Sequence, residues 1–238
     1  MPLPKINTPT YELVIPSIGK KARYRPFLVR EEKILIMALE SEDMSQITNA
    51  IVEIMSACIL TKGIKVLELS TFDIEYVFLN IRSKSVGEVI EVNVTCPDDG
   101  ETKVSMEINI DDIKVQKDKN HTNLIKLDES LSMKMKYPSI EQFVENNFEV
   151  KKQNVDQSLD MITSCIDQVY TEEEAWAASD CTKDELKEFI EQMNTKQFKE
   201  IEKFFTTMPK LSHTVKVQNP ETKVKSDVVL EGLASFFN

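Results

Sequence analysis

The stretch VNVTCPDDGETKV (Val92–Val104) has a partial echo in VKVQNPETKV (Val215–Val224). Each copy runs V-x-V-x-x-P and then ETKV, with Asp98-Asp99-Gly100 separating the two spellings. Around the first copy, apolar residues alternate through Val92 and Val94 and again from Val104 to Ile110, with CPDDGE between them. That period of two, broken by a Pro/Asp/Gly turn, predicts a β-hairpin. HTVKVQNPETKVKSDVVL (His213–Leu230) reads as a second hairpin, and the shared ETKV is expected to begin the return strand of each.

The first turn also invites a metal reading. Zinc knuckles use a CPxCG turn that points two thiolates at one ion. Here Asp99 stands at the second cysteine position, Asn219-Pro220 replaces Cys96-Pro97 in the second hairpin, and the chain has no CxxC. A structural zinc needs four ligands and Cys96 supplies one thiolate. The reading is therefore a pair of zinc-ribbon-like hairpin modules held by their apolar alternation, with metal ligands largely absent and no metal or cofactor expected.

Working outward, YELVIPS and KARYRPFLV read as an N-terminal hairpin turning at Ile18-Gly19-Lys20. EEKILIMALES is helical, with Glu31 and Glu32 at its favourable N-terminal end. Ile47, Ala50, Ile51, Ile54, Met55 and Cys58 recur at three- and four-residue spacing, a buried stripe on a second helix. Ser70 is placed to cap a third that carries Phe72 and Tyr76. After a polar connector (116–123), IKLDESLSMKMKYPS reads as a strand pair. Helices are expected over 139–147 and 156–170. The last helical run begins at Thr182-Lys183-Asp184-Glu185, which has capping-box spacing, and continues to Pro209.

The fold class is thus α+β: two helical groups, each followed by a ribbon-like hairpin, plus the N-terminal hairpin. The expected division is an N-terminal α+β region, 1–138, with its hairpin at about 86–115, and a helical region, 139–238, with its hairpin at about 211–231. With 238 residues and 41% hydrophobic content the chain can bury a real core.

The charge balance, 29 basic against 40 acidic residues for a net −11, opposes binding to nucleic acid or anionic membrane. None of the five glycines lies in a phosphate-cradling pattern, and the sequence has neither a signal-peptide run nor an apolar stretch of membrane-spanning length. Cys58, Cys96, Cys165 and Cys181 are too scattered for a disulfide framework. Cys58 and Cys165 fall on apolar stripes as small core residues, and Cys181 precedes the capping box. His121 and His213 have no sequence-local acid or metal partner. The acidic runs Ser41-Glu42-Asp43 and Glu172-Glu173-Glu174 lack calcium-loop order. Trp176, the single tryptophan, suits either a partner contact or the core. No catalytic constellation emerges, and the chain reads as a non-enzyme.

YELVIPSIGKKARYRPFLVREEKILIMALES and FDIEYVFLNIRSKSVGEVIEVNVTCPDDGE resemble the small baseplate hub proteins of contractile-tailed phages of the T-even type. KMKYPS and the terminal LEGLASFF are similar to the same family. The resemblance covers about residues 11–140 and the last twenty or so. Family members can carry cysteine pairs in their hairpin turns, a pattern from which Asp99 and Asn219 depart. The resemblance implies a non-catalytic structural role in the virion's tail baseplate, at or next to the hub, after assembly in the host cytoplasm. Its partners would be other baseplate and hub proteins, and tape-measure or tube-initiator proteins. A transient assembly chaperone is the rival within the family, and a zinc-ribbon nucleic-acid-binding module is the rival of another class. Leu233, Phe236 and Phe237 are the candidate docking residues, with closure of the protein's own core as the alternative.

Overall fold

A computed structural model describes residues 6–41, 43–140 and 155–236. In chain order its elements are β1 (Tyr11–Val14), β2 (Lys21–Tyr24), α1 (Val29–Glu40), α2 (Met44–Cys58), α3 (Thr71–Val86), β3 (Val89–Thr95), β4 (Lys103–Asn109), β5 (Lys114–Gln116), β6 (Leu124–Lys126), β7 (Ser132–Met135), α4 (Val155–Ser164), β8 (Ile166–Tyr170), β9 (Ala175–Ala177), α5 (Lys183–Glu191), α6 (Thr195–Thr207), β10 (Lys210–Gln218) and β11 (Lys225–Glu231). Short 3-10 turns intervene, the last at Leu233–Phe236. The class is α+β, and the helix expected over 139–147 lies, apart from its first two residues, outside the described residues.

These elements form two compact units, each assembled from separate stretches of chain. The first holds β1–β5, α1–α3, β10 and β11; the second holds β6–β9 and α4–α6.

In the first unit, Gly19 takes φ +63 so that its N–H can reach the Ile15 carbonyl (2.9 Å), closing the β1–β2 turn. α1 begins where Glu31 accepts from the Leu28 N–H (2.7 Å), Arg25 Nη2 (2.9 Å) and Arg30 Nε (2.8 Å). Burial opposes the charge on Glu31, but these donors together hold its carboxyl down at about 2. Asp43 caps α2 by accepting from the Ser45 N–H (2.9 Å).

Ser70 occupies the N-cap of α3, yet its hydroxyl accepts no helix N–H. It donates instead to Asp73 Oδ2 (2.6 Å), while Asp73 Oδ1 accepts from the Ser17 N–H (2.9 Å) and ties the N-terminal hairpin to α3. The stripe of α2 is buried as its spacing requires, with Ile51, Ile54, Met55 and Cys58 at the centre of the core. Side chains buried this fully contribute about 1.5–3 kcal/mol each.

β3 and β4 form an antiparallel pair, and β10 joins β11 on one side and β5 on the other. The two turns are closer in length than the sequence echo suggests. Thr95 pairs with Lys103 and Gln218 with Lys225, so seven residues (96–102) bridge the first hairpin and six (219–224) the second. The shared ETKV is therefore not equivalent in space. In the first copy it leads into β4, whereas Glu221–Val224 is the turn itself and β11 starts only at Lys225.

The second unit is a four-stranded antiparallel sheet, β6-β7-β8-β9, whose inner face packs with α4–α6 around Met133, Ile166, Ile201 and Phe204. Two expectations fail here. The helix expected over 156–170 ends at Ser164 and the chain continues as β8, because Thr163 and Ser164 turn their hydroxyls back onto the carbonyls of Asp160 and Met161. The run from Thr182 to Pro209 is two helices. Asn194 interrupts it, accepting from the Lys196 N–H (2.9 Å) and Gln197 N–H (3.1 Å) while Gln197 Oε1 accepts from the Asn194 N–H (3.0 Å).

Candidate functional site

The two hairpin turns that raise the metal question meet within the first unit. Each is a knuckle-like turn with the same backbone bond. The Gly100 N–H donates to the Cys96 carbonyl (2.9 Å), and the Lys223 N–H donates to the Asn219 carbonyl (3.0 Å). Both donors sit in the left-handed region, Gly100 at φ +72 and Lys223 at φ +63. Aligned this way, Cys96-Pro97-Asp98-Asp99-Gly100 matches Asn219-Pro220-Glu221-Thr222-Lys223. The positions a zinc ribbon would fill with four ligands hold Cys96, Asp99, Asn219 and Thr222.

Hydrogen bonds join these turns. Asn219 Nδ2 donates to Asp98 Oδ1 (3.2 Å), Asp98 Oδ2 (3.0 Å) and Asp99 Oδ2 (2.7 Å), and the Thr222 hydroxyl donates to Asp98 Oδ2. Asn219 Oδ1 accepts from the Glu221 N–H (2.8 Å) and Thr222 N–H (3.3 Å), holding its own turn. Asp99 Oδ1 does the same for the first turn, accepting from the N–H groups of Glu101 and Thr102 (both 3.0 Å). Asn219 is 1% exposed, which is tolerable for an amide only because its donors and acceptor are all matched.

The carboxyls of this clasp sit below their ordinary range. The Thr222 hydroxyl, then the Asn219 amide, hold Asp98 down; the Thr102 hydroxyl and the turn's N–H groups hold Asp99 down. Cys96 is buried beneath the turn, and burial with the adjacent Asp98 and Asp99 raises its thiol. The donor set does not fit a structural zinc. It offers one thiol that resists ionisation, and carboxylates already engaged by amide and hydroxyl donors. Among the described residues, no group of three or more His, Cys, Asp or Glu side chains is placed to hold a metal ion.

The remaining candidates are dispersed. Phe236 is buried in the core of the first unit. Leu233 starts the final 3-10 turn, with its side chain outside the described part, and Phe237 lies outside the described residues. Cys58 and Cys165 are buried, Cys181 is half-buried and donates weakly to the Ala177 carbonyl, and His213 is half-buried on β10. His121 stacks on Tyr137, with Nδ1 3.0 Å from Thr207 Oγ1 and Nε2 3.0 Å from the Tyr137 hydroxyl. Burial lowers its pKa, so it favours the neutral form. Trp176 is 44% exposed on β9. Among the described residues no helix is long and apolar enough to cross a membrane.

The clasp lies beyond any local sequence pattern because it joins residues 121 positions apart. The spacing C-P-x-D against N-P-x-T, not the repeated ETKV, marks the two turns as equivalent, though not as partners.

Comparison with known proteins decides the context. The family model described as T4 bacteriophage base plate protein matches residues 8–238. The chain belongs to the T4 bacteriophage base plate protein family. No match was found to a curated protein or to a solved structure. As a T4-type baseplate protein it is a structural protein of the phage tail, and the match spans both units and both hairpins of the clasp.

Proposed function

We propose that this baseplate protein is a non-catalytic subunit of the mature virion, at or next to the central hub of the tail baseplate. It assembles there in the host cytoplasm through contacts with other baseplate and hub proteins, tape-measure or tube-initiator proteins among them. The observation that carries this reading is the family match over residues 8–238. The acidic balance of the chain also favours protein partners over nucleic acid. The C-terminal residues Leu233, Phe236 and Phe237 are the proposed docking segment, in which Phe236 anchors the final turn in the core while its neighbours meet a partner.

Quantitative mass spectrometry of purified virions tests the proposal. A fixed stoichiometry relative to known tail proteins is expected. Abundance in infected cells with absence from finished particles would instead mark a transient assembly chaperone.

A further inference from the structure

Register across the second unit's sheet places Ile125, Met133, Val169 and Trp176 in one row on its inner face. The first three are 5%, 0% and 8% exposed, and Trp176, on the last strand, is 44% exposed. The core row therefore runs out at β9 with its largest side chain uncovered. β9 is the end strand of the sheet order. The Thr171 N–H donates to the Glu174 carbonyl (2.8 Å), which sets the alternation of the β8–β9 pair. Trp176 exchanges its backbone bonds with Val169, so the N–H and C=O groups of Ala175 and Ala177 point away from the sheet. Of these, the Ala177 carbonyl is engaged, as the N-cap acceptor of the 3-10 turn Ala178–Asp180 and by a weak thiol bond from Cys181 at 3.6 Å, which leaves the Ala175 N–H and C=O and the Ala177 N–H without a partner among the described residues. On the outer face, at the start of β9, lies an open cavity of about 370 Å³ lined by Glu172, Glu173, Glu174, Ala175, Tyr170 and Lys134. The Lys134 ammonium is paired with Asp167 at 2.7 Å, which leaves the three glutamates as the local excess of charge.

We propose that β9 is an acceptor edge for an extended basic segment of a partner protein, which adds to the sheet as a fifth strand. The proposal rests on the assembly reading only for the partner's being a protein. An added strand alternates between faces. Its residue beside Trp176 falls on the inner face, where an apolar side chain continues the core row. Its residues beside Ala175 and Ala177 fall on the outer face, where Lys or Arg meets Glu172–Glu174. A second copy of this chain does not suit the site, because β9-to-β9 pairing would set Glu172–Glu174 of one protomer against acidic residues of the other, whether Glu172–Glu174 or Asp180. An open edge of this kind otherwise invites non-specific pairing, and its acidic flank gives it selectivity.

Trp176 is the single tryptophan, so its emission reports this edge alone. The full-length chain is titrated with a short amidated peptide of alternating lysine and valine, and with its glutamate–valine counterpart. The lysine peptide is expected to give a saturable blue shift and protection from acrylamide quenching, and the glutamate peptide neither. Ala177 has φ −73 and ψ 136, a conformation proline adopts, so Ala177→Pro removes the outward N–H without straining the chain. It should weaken the lysine peptide at least about tenfold. Replacing Glu172, Glu173 and Glu174 by Gln should abolish the preference for lysine in a chain whose edge is unaltered. No shift with the lysine peptide, equal shifts with both peptides, an unchanged response in folded Ala177→Pro, or concentration-dependent self-association that covers Trp176 would each overturn the proposal. None of these outcomes depends on whether the chain is present in virions, and absence from virions would leave peptide binding unaffected.

Discussion

Replacing Asn219 with alanine removes the central member of the clasp. The side chain is 1% exposed, donates to Asp98 and Asp99 across the gap, and accepts two N–H groups of its own turn. A hydrogen bond to a charged partner contributes about 1.5–3 kcal/mol net. The carboxylates keep access to water and recover part of the loss, and the freed N–H groups of Glu221 and Thr222 are on exposed residues. The expected cost is therefore about 2 kcal/mol, which for a protein of this size lowers the thermal midpoint by about 4–8 °C. Urea unfolding followed by far-UV circular dichroism measures it. Asn219→Asp provides the second arm. A third carboxylate beside Asp98 and Asp99 repels them, so this variant should lose more stability than Asn219→Ala at neutral pH and regain it as the pH falls into the carboxylate range. Losses below about 0.5 kcal/mol for Asn219→Ala, the range of an inert surface change, would refute the clasp as a stabilising contact. So would an Asp variant that matches the Ala variant at every pH.

The depressed carboxyls of Asp98 and Asp99 carry their own pH signature. Their stabilisation is complete above the ordinary carboxylate range and is lost as the pH falls from that range down through their depressed values, and Asn219→Ala should flatten that dependence in acid titrations. Lys223 holds φ +63 without being glycine; Lys223→Gly should stabilise by about 0.5–1 kcal/mol, and Gly100→Ala at φ +72 should destabilise by a similar or larger amount, both read by denaturant midpoints. Phe236→Ala removes a fully buried ring and should cost about 3–5 kcal/mol by urea unfolding, whereas deletion of 237–238 should lower incorporation into baseplates if this segment docks on a partner. Cys96→Ser should leave the fold in place and insensitive to added zinc; folding that zinc restores would contradict the hydrogen-bonded clasp.

What the sequence made legible was local periodicity. The α2 stripe, the β3–β4 alternation and the Thr182 capping box each express a contact made within a few residues, and the structure realises all three. A helix over 156–170 is expected because Leu159, Ile162, Cys165 and Ile166 satisfy three- and four-residue spacing, whereas an extra residue bulged into β8 opposite the Lys134–Met135 step sets Ile166 and Val169 on one face of a strand. The split at Asn194 was legible in its N-x-x-Q spacing but was masked by the continuous apolar face from Leu186 to Phe205. The clasp was not legible at all as a contact. Nothing in Cys96-Pro97-Asp98-Asp99 states that Asn219 will donate to it, because hairpin neighbours are chosen by the packing of the whole unit. The echo of ETKV misleads for a related reason: matched by their turn bonds, the hairpins set Glu221–Val224 against Asp98–Glu101, three residues before the first ETKV, and identical letters fall in different conformations.

A structural subunit, as proposed for this family member, remains in the finished baseplate. The most direct test is a density map of the intact baseplate, searched for the first unit with its paired hairpin turns. That unit is expected at a fixed position at or beside the hub, in the same copy number in every particle. A complete map in which all density is assigned to other subunits, from virions whose assembly required this chain, would contradict it.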